Sequence, residues 1–291
     1  MMALKTHVKM LSELSRFEKP IGYLLLFYPC FWGLVIGCDN LLPDFSNVAL
    51  FFLGSVLMRG AGCTYNDWVD APFDRSVKRT ANRPLAAQKI SRTLALAWIF
   101  VQLGLSLIIL LALPSQIIIW ALGSLPIVGL YPWVKRFSSF PQFILGLAFN
   151  WGVLLGWLVY QPTLKWAPIF VYCAGAFWTL AYDTIYALQD IEDDLKIGVR
   201  STAVFFASKS KIFIQICYVC MWFFLSLGVL FLGWHWLFYV YVSLLGLGVW
   251  FILSKMNLEN SQDCLAAFKA NHYIGLLVLV GLIGSKLWKW L

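Results

Sequence analysis

Eight of the 14 acidic residues in this 291-residue chain fall in two short stretches. The first reads Asn66-Asp67-Trp68-Val69-Asp70-Ala71-Pro72-Phe73-Asp74. The second runs from Tyr182-Asp183 through Tyr186 and Gln189-Asp190 to Glu192-Asp193-Asp194. In the first, Asn66, Asp70 and Asp74 step by four residues, about 40° around a helix each time, so they share one face, and Arg59, seven residues before Asn66, shares it too. In the second, Asp183, Asp190 and Asp194 are in phase at seven and four. Carboxylates crowded like this repel one another unless a cation neutralises them. Hard oxygen ligands of this kind suit Mg²⁺, which takes one or two carboxylates together with substrate phosphates. Basic residues stand beside both sets: Arg75, Lys78, Arg79 and Arg83 after the first, Lys135-Arg136 mid-chain, Lys196 and Arg200 after the second. A diphosphate bridged by Mg²⁺ to carboxylates and clamped by Arg and Lys is the chemistry this set of groups could carry out.

Charges of this sort can also be the solvated ends of membrane spans. Arg79, Lys89, Arg92, Lys209 and Lys211 read that way, as topology determinants. Asp67, Glu192 and Asp193, off the main faces or doubled, read equally well either way. Asn66, Asp70, Asp74, Asp190 and Asp194 do not, because phased acids are costly in a chain so poor in charge. Pro72 lacks a donor and clashes with the carbonyl four residues back, so the first face is expected to kink or end near Asp70.

The elements that must position these residues are membrane spans. Hydrophobic residues make up 61% of the chain and charged residues 12%, against roughly 25% in soluble domains. That excludes disorder, a coiled coil and a water-soluble globule. Apolar runs lie near 21–38, 47–65, 93–113, 115–134, 140–160, 166–189, 212–232, 234–254 and 270–290. Barrel strands would alternate over about 10 residues; these runs are continuous and twice as long, and nine transmembrane helices are expected. With the N-terminus inside, 18 of the 22 Lys and Arg fall on the inner side, leaving Lys165, Lys286 and Lys289 outside and Arg59 within a span. This is a positive-inside pattern, with the acidic segments cytoplasmic and the C-terminus outside. The net charge of +8 therefore reports topology rather than nucleic acid. The two charge-rich inner segments, 66–92 and 190–211, follow the second and sixth spans, which suggests two similar four-helix halves with a site between them. The opening MMALKTHVKMLSELSRFEKP lacks a signal peptide's apolar core and a transit peptide's Arg/Ser richness, so the first span is expected to insert directly. Seven cysteines and three histidines are scattered; Cys217-x-x-Cys220 lies mid-span, with no metal or redox partner nearby.

At RGAGCTYNDWVDAPFDRSVKRTANRPLAA (59–87), YPWVKRFSSFPQ (131–142) and YDTIYALQDIEDDLKIGVRSTA (182–203), the chain resembles the UbiA family of intramembrane prenyltransferases, and within it the 4-hydroxybenzoate branch. The match covers nearly the whole chain. Ile191 stands where a basic or polar residue is usual, between ligands. The resemblance implies one domain over 1–291, an all-α integral membrane protein of nine helices around a central cavity, capped on the cytoplasmic side by Asp-rich segments at 66–92 and 182–203. It implies transfer of a polyprenyl chain from its diphosphate to the 4-hydroxybenzoate ring, ortho to the hydroxyl, in ubiquinone synthesis, in a bacterial inner membrane. Carried onto this sequence, Asn66, Asp70 and Asp74 would hold one Mg²⁺ and Asp190 with Asp194 the other, the four aspartates being catalytic. Arg75, Lys78, Lys135, Arg136 and Lys196 would bind diphosphate. Arg16, Arg59, Tyr131, Asp183 and Tyr186 would face the substrates, with Arg16 and Arg59 open to either the diphosphate or the acceptor carboxylate. No nucleic acid or obligate protein partner is implied.

Two other readings compete. A sister enzyme would use another acceptor, such as homogentisate or a naphthoate. A cation-coupled transporter would use intramembrane carboxylates for ions, but the basic residues around them favour diphosphate chemistry.

Overall fold

The computed structural model describes residues 2–77 and 79–290, with side chains for 7–77 and 79–288. A first helix, α1 (Met2–Ser15), leads into three long ones: α2 (Pro20–Gly37), α3 (Phe45–Asp74) and α4 (Arg92–Leu111). Then come α5 (Ile118–Val134), α6 (Pro141–Tyr160) and α7 (Trp166–Ala187), followed by the short α8 (Ile191–Ile197) and α9 (Thr202–Phe206). The chain closes with α10 (Ser210–Phe231), α11 (Leu237–Lys255) and α12 (Ser261–Trp290). Among the described residues there is no strand.

Among the described residues, eight helices are long and apolar enough to cross a membrane: α2, α3, α4, α5, α6, α10, α11 and α12. The chain is an all-helical, multi-pass membrane protein. The expected span at 166–189 corresponds to α7, which falls outside that eight. Tyr172, Tyr182, Asp183 and Tyr186 dilute its hydropathy. Its surroundings tolerate this, because Val171, Ala174, Thr179 and Ile185 are fully buried within the protein instead of facing lipid.

Close backbone approach holds the bundle together, as expected where lipid removes the usual hydrophobic drive between helices. A Cβ on Gly33 of α2 would lie 2.2 Å from the Val153 carbonyl oxygen of α6, and one on Gly156 would lie 2.5 Å from that of Cys30. Buried polar groups supply the next level. Trp178 Nε1 of α7 and Tyr218 Oη of α10 both donate to Asn271 Oδ1 of α12, at 2.7 and 2.8 Å. Lys286, counted from the sequence among the outer basic residues, is 4% exposed. Its ammonium donates to the carbonyls of Val35, at 2.9 Å, and Cys38 at the end of α2, where helix carbonyls lack partners.

The helix does not end near Asp70: α3 runs on through Pro72 to Asp74. Proline removes the donor that the Trp68 carbonyl would have used. Arg92 replaces it, donating from Nη2 to that carbonyl at 3.1 Å with its guanidinium 4.3 Å over the Trp68 ring. Arg92 is thus more than a topology charge.

Candidate active site

Continuing α3 past Pro72 carries Asn66, Asp70 and Asp74 to one wall of a cavity of about 1470 Å³. The second acidic segment forms another wall, though not as one helical face. The chain leaves α7 at Ala187, passes a 3₁₀ turn over Leu188–Asp190, and restarts as α8, so Asp183 lies within α7 while Asp190 and Asp194 lie beyond it. All three line the cavity, as do Arg16, Arg59, Tyr131, Lys135 and Tyr186. Leu103, Leu107 and Leu110 of α4 and Leu122, Leu125 and Val128 of α5 line its apolar part.

Asp67, Asp70, Asp74 and Asp190 are each matched to a base. Asp70 is 1% exposed and its Oδ2 takes the Lys135 ammonium, while Oδ1, also buried, has no partner. Asp74 Oδ2 accepts from Arg83 Nη1 at 2.9 Å. Asp67, also 1% exposed, accepts from Arg16 at 2.8 Å and Arg83 at 3.0 Å. Arg79 reaches across 111 residues to pair with Asp190, and its Nη1 donates to Tyr186 Oη at 2.7 Å. Burial opposes charge on Arg79, but the Asp190 and Tyr186 contacts outweigh it and raise its pKa above the ordinary value. Asp194 has no ion pair among the described residues. Burial, with Asp190 nearby, pushes its carboxyl up to about 6.

Deeper in the cavity wall, the Arg59 guanidinium lies 5.3 Å from the Phe149 ring centroid, and its buried Nε has no hydrogen-bond acceptor. Gly22 makes room for it, since a Cβ there would meet Nε at 2.8 Å. The Tyr186 ring packs 4.6 Å from Phe268 of α12.

Three expected diphosphate ligands do not line the cavity. Arg75 turns into its own loop and donates to the Ala86 carbonyl at 3.1 Å. Arg136 donates to the Val69 carbonyl at 3.2 Å and lies against the Phe73 and Trp133 rings. Lys196 is 66% exposed and pairs with Asp193, at 3.7 Å. Lys78 lies outside the described residues. Arg79, read from the sequence as a topology charge, and Arg83, one of the basic residues noted beside the first acidic set, do line the cavity. Asp67, which read either way, is paired at both oxygens.

The donors fit a hard divalent cation. Among the described residues no three His, Cys, Asp or Glu side chains form a ready-made metal cluster. Mg²⁺ does not require one, since it keeps water and substrate phosphate oxygens beside one or two carboxylates. The buried, unpartnered Asp70 Oδ1 is a donor atom of the right kind, and Asn66 adds a neutral oxygen on the same wall.

Comparison with known proteins bears on this arrangement. A family model described as the UbiA prenyltransferase family matches residues 26–276. Over 284 residues the chain is 39% identical to a protein of Drosophila pseudoobscura pseudoobscura named 4-hydroxybenzoate polyprenyltransferase, mitochondrial, covering 96% of this chain and 70% of that one. Among solved structures, a UbiA homologue from Aeropyrum pernix K1 superposes with a TM-score of 0.75 at 20% identity, over 90% of this chain and 96% of that one. One from Archaeoglobus fulgidus, bound to GPP and Mg²⁺, gives a TM-score of 0.67 at 20% identity, over 94% and 99%. The structural likeness supports the fold.

Proposed function

The chain belongs to the UbiA prenyltransferase family, and from that premise we propose that it transfers a polyprenyl chain from its diphosphate to the ring of 4-hydroxybenzoate, ortho to the hydroxyl, in ubiquinone synthesis. The observation that carries this reading is one cavity that gathers both acidic segments with Arg16, Arg79, Arg83 and Lys135, and that is lined elsewhere mainly by apolar residues, including those of α4 and α5. The relative's name supports the acceptor, and the Mg²⁺ and GPP of the Archaeoglobus structure support the donor class and metal.

Asn66, Asp70 and Asp74 on one wall and Asp190 and Asp194 on the other would hold Mg²⁺. When bound, Mg²⁺ supplies Lewis-acid stabilisation of the leaving diphosphate. Lys135, Arg79 and Arg83, paired with carboxylates before loading, turn their positive charge to the diphosphate as its bond to the prenyl carbon breaks. Arg16 belongs with them because it is tied to Asp67 beside this group. Arg59 sits apart, with an N–H free for the acceptor carboxylate. Tyr131 and Tyr186 present electron-rich faces to the allylic cation, which the apolar walls keep from water. The ring proton leaves to a carboxylate such as Asp183 or to the released diphosphate.

The whole chain acts as one domain in this proposal, with both acidic segments and the N-terminus on the positive-inside face and the C-terminus opposite. The relative's name is mitochondrial, so the expected bacterial inner membrane gains no support from it. Purified protein in detergent, given a polyprenyl diphosphate, Mg²⁺ and a panel of aromatic acceptors, should yield 3-polyprenyl-4-hydroxybenzoate. Turnover with homogentisate or a naphthoate in place of 4-hydroxybenzoate would move it to a sister activity.

A further inference from the structure

Asp67 stands one residue after Asn66 and three before Asp70, yet its carboxylate is used differently from theirs. Oδ1 accepts from Arg16 Nη2 at 2.8 Å and from Arg83 Nη1 at 3.0 Å, and Oδ2 accepts from Arg16 Nη2 at 2.8 Å. Both oxygens are therefore turned to guanidiniums, whereas Asp70 keeps one oxygen without a partner. The two arginines come from separate parts of the chain, Arg16 from just after α1 and Arg83 from the loop after α3. They remain 17% and 20% exposed, and both line the cavity.

The segment carrying Arg16 is built to stay in place. Ser15 Oγ donates to Gln102 Oε1 at 3.2 Å and accepts from Trp98 Nε1 at 2.8 Å, fastening it to α4. Gly60 of α3 leaves the room it occupies, since a Cβ there would lie 2.2 Å from Gln102 Oε1 and 2.9 Å from the Phe17 ring. Arg16 itself adopts φ +56°, a left-handed conformation that a non-glycine residue rarely holds. Its Nη1 closes back on the Glu13 carbonyl at 2.8 Å, so backbone and side chain together aim Nη2 at Asp67. A chain held in an unfavourable conformation to deliver one guanidinium indicates that its placement matters.

We propose that Asp67 is a positioning residue for the prenyl transfer: it binds neither metal nor substrate, but joins Arg16 and Arg83 into a guanidinium pair at the cavity rim that receives the diphosphate. The pair is preorganised because the buried carboxylate cancels part of their mutual repulsion and fixes two long side chains before the ligand arrives. Through Arg83, which also holds Asp74 Oδ2 at 2.9 Å, the pair is connected to the proposed metal-binding wall. The inference rests on the diphosphate chemistry proposed above.

The test uses the full chain in detergent with Mg²⁺, and inorganic pyrophosphate as the binding probe. Asp67→Asn keeps the side-chain shape and removes the charge. Its pyrophosphate affinity should fall roughly 10- to 100-fold, the loss typical of residues that orient ligating groups. KM for the prenyl donor should rise, while KM for 4-hydroxybenzoate and the half-saturating Mg²⁺ concentration stay at wild-type values. Arg16→Lys, which keeps charge but loses the fork, should also weaken pyrophosphate binding. The two losses should not add in the double variant, because one acts through the other. Wild-type pyrophosphate affinity in Asp67→Asn overturns the proposal. So does a shift confined to the Mg²⁺ requirement, which would make Asp67 a metal ligand, or an equal loss toward both substrates, which would make it merely structural. If the pyrophosphate pattern holds but wild-type protein fails to prenylate 4-hydroxybenzoate, the functional reading fails and the positioning role stands.

Discussion

Lys135→Met should destabilise the metal-free protein and make it more responsive to Mg²⁺. In the folded chain the Lys135 ammonium, on a side chain 24% exposed, is the partner of Asp70 Oδ2, on a side chain 1% exposed. Asp70 Oδ1 has no hydrogen-bond partner among the described residues. Methionine would therefore leave a buried carboxylate with no counter-charge at either oxygen. Breaking a buried ion pair on one side costs about 3–5 kcal/mol. Partial exposure of the lysine admits some solvent screening, which brings the expected loss to about 2–3 kcal/mol. That corresponds to a fall in melting temperature on the order of 5 °C. Mg²⁺ narrows the difference. In the wild type a cation must displace the ammonium from Asp70, whereas in the variant it meets an uncompensated carboxylate. At a concentration of 100 times its Kd, Mg²⁺ adds about 2.7 kcal/mol to a protein it binds only when folded, enough to recover most of the deficit. Thermal unfolding in detergent, with EDTA and then with Mg²⁺, measures both effects. Equal melting temperatures in EDTA, or equal Mg²⁺ increments in variant and wild type, would refute the argument that Lys135 holds the place of a metal at Asp70.

Asp70→Ala and Asp190→Ala should each abolish prenyl transfer while circular dichroism stays native; wild-type turnover in either removes its segment from the metal assignment. Asp194 supplies a pH signature in metal-free protein. Its carboxyl titrates near 6 when folded, against an ordinary value of 3.8, so folding favours the protonated form. Its contribution to stability is full below the ordinary value and is lost as pH rises through about 6. Asp194→Asn should therefore gain melting temperature relative to wild type between pH 5 and 7 in EDTA; a difference that does not change with pH contradicts this. Gly33→Ala would place a Cβ 2.2 Å from the Val153 carbonyl oxygen. It should cost about 1–3 kcal/mol, as overpacking does, and an unchanged melting temperature would show that α2 and α6 can separate freely.

Local regularities of the chain were legible from residue types alone. The long apolar runs became helices, although α3 continues to Asp74, well past the expected end at 65, and α12 begins at Ser261, well before the expected start at 270. The four-residue phase of Asn66, Asp70 and Asp74 survived because α3 stays helical through them. What escaped depends on distance along the chain. Nothing near Arg79 distinguishes it from Lys89, and its meeting with Asp190 is decided by how two loops 111 residues apart come together. Arg75, adjacent to Asp74, and Arg136, adjacent to Lys135, were drawn off by the carbonyls of Ala86 and Val69. Pro72 misled for a related reason, because the substitute donor to Trp68 comes from Arg92 on the next helix. The assumed single face through Asp183, Asp190 and Asp194 failed where the 3₁₀ turn at Leu188–Asp190 resets the helix.

The length of α3 has a kinetic consequence. Thirty residues at 1.5 Å each make a rod of about 45 Å, while the hydrocarbon core of a bilayer is about 30 Å thick. In the proposed topology the acidic end of the rod, from Asn66 to Asp74, lies at headgroup depth, the level at which a polyprenyl diphosphate carries its own charged end. Under the proposed function the donor reaches the site by sliding within the membrane plane, and only the small acceptor arrives from water. The donor concentration that governs rate is then its mole fraction among lipids. Diluting vesicles with buffer should leave the donor KM unchanged on that scale, whereas diluting the donor with inert lipid should slow turnover at constant bulk concentration.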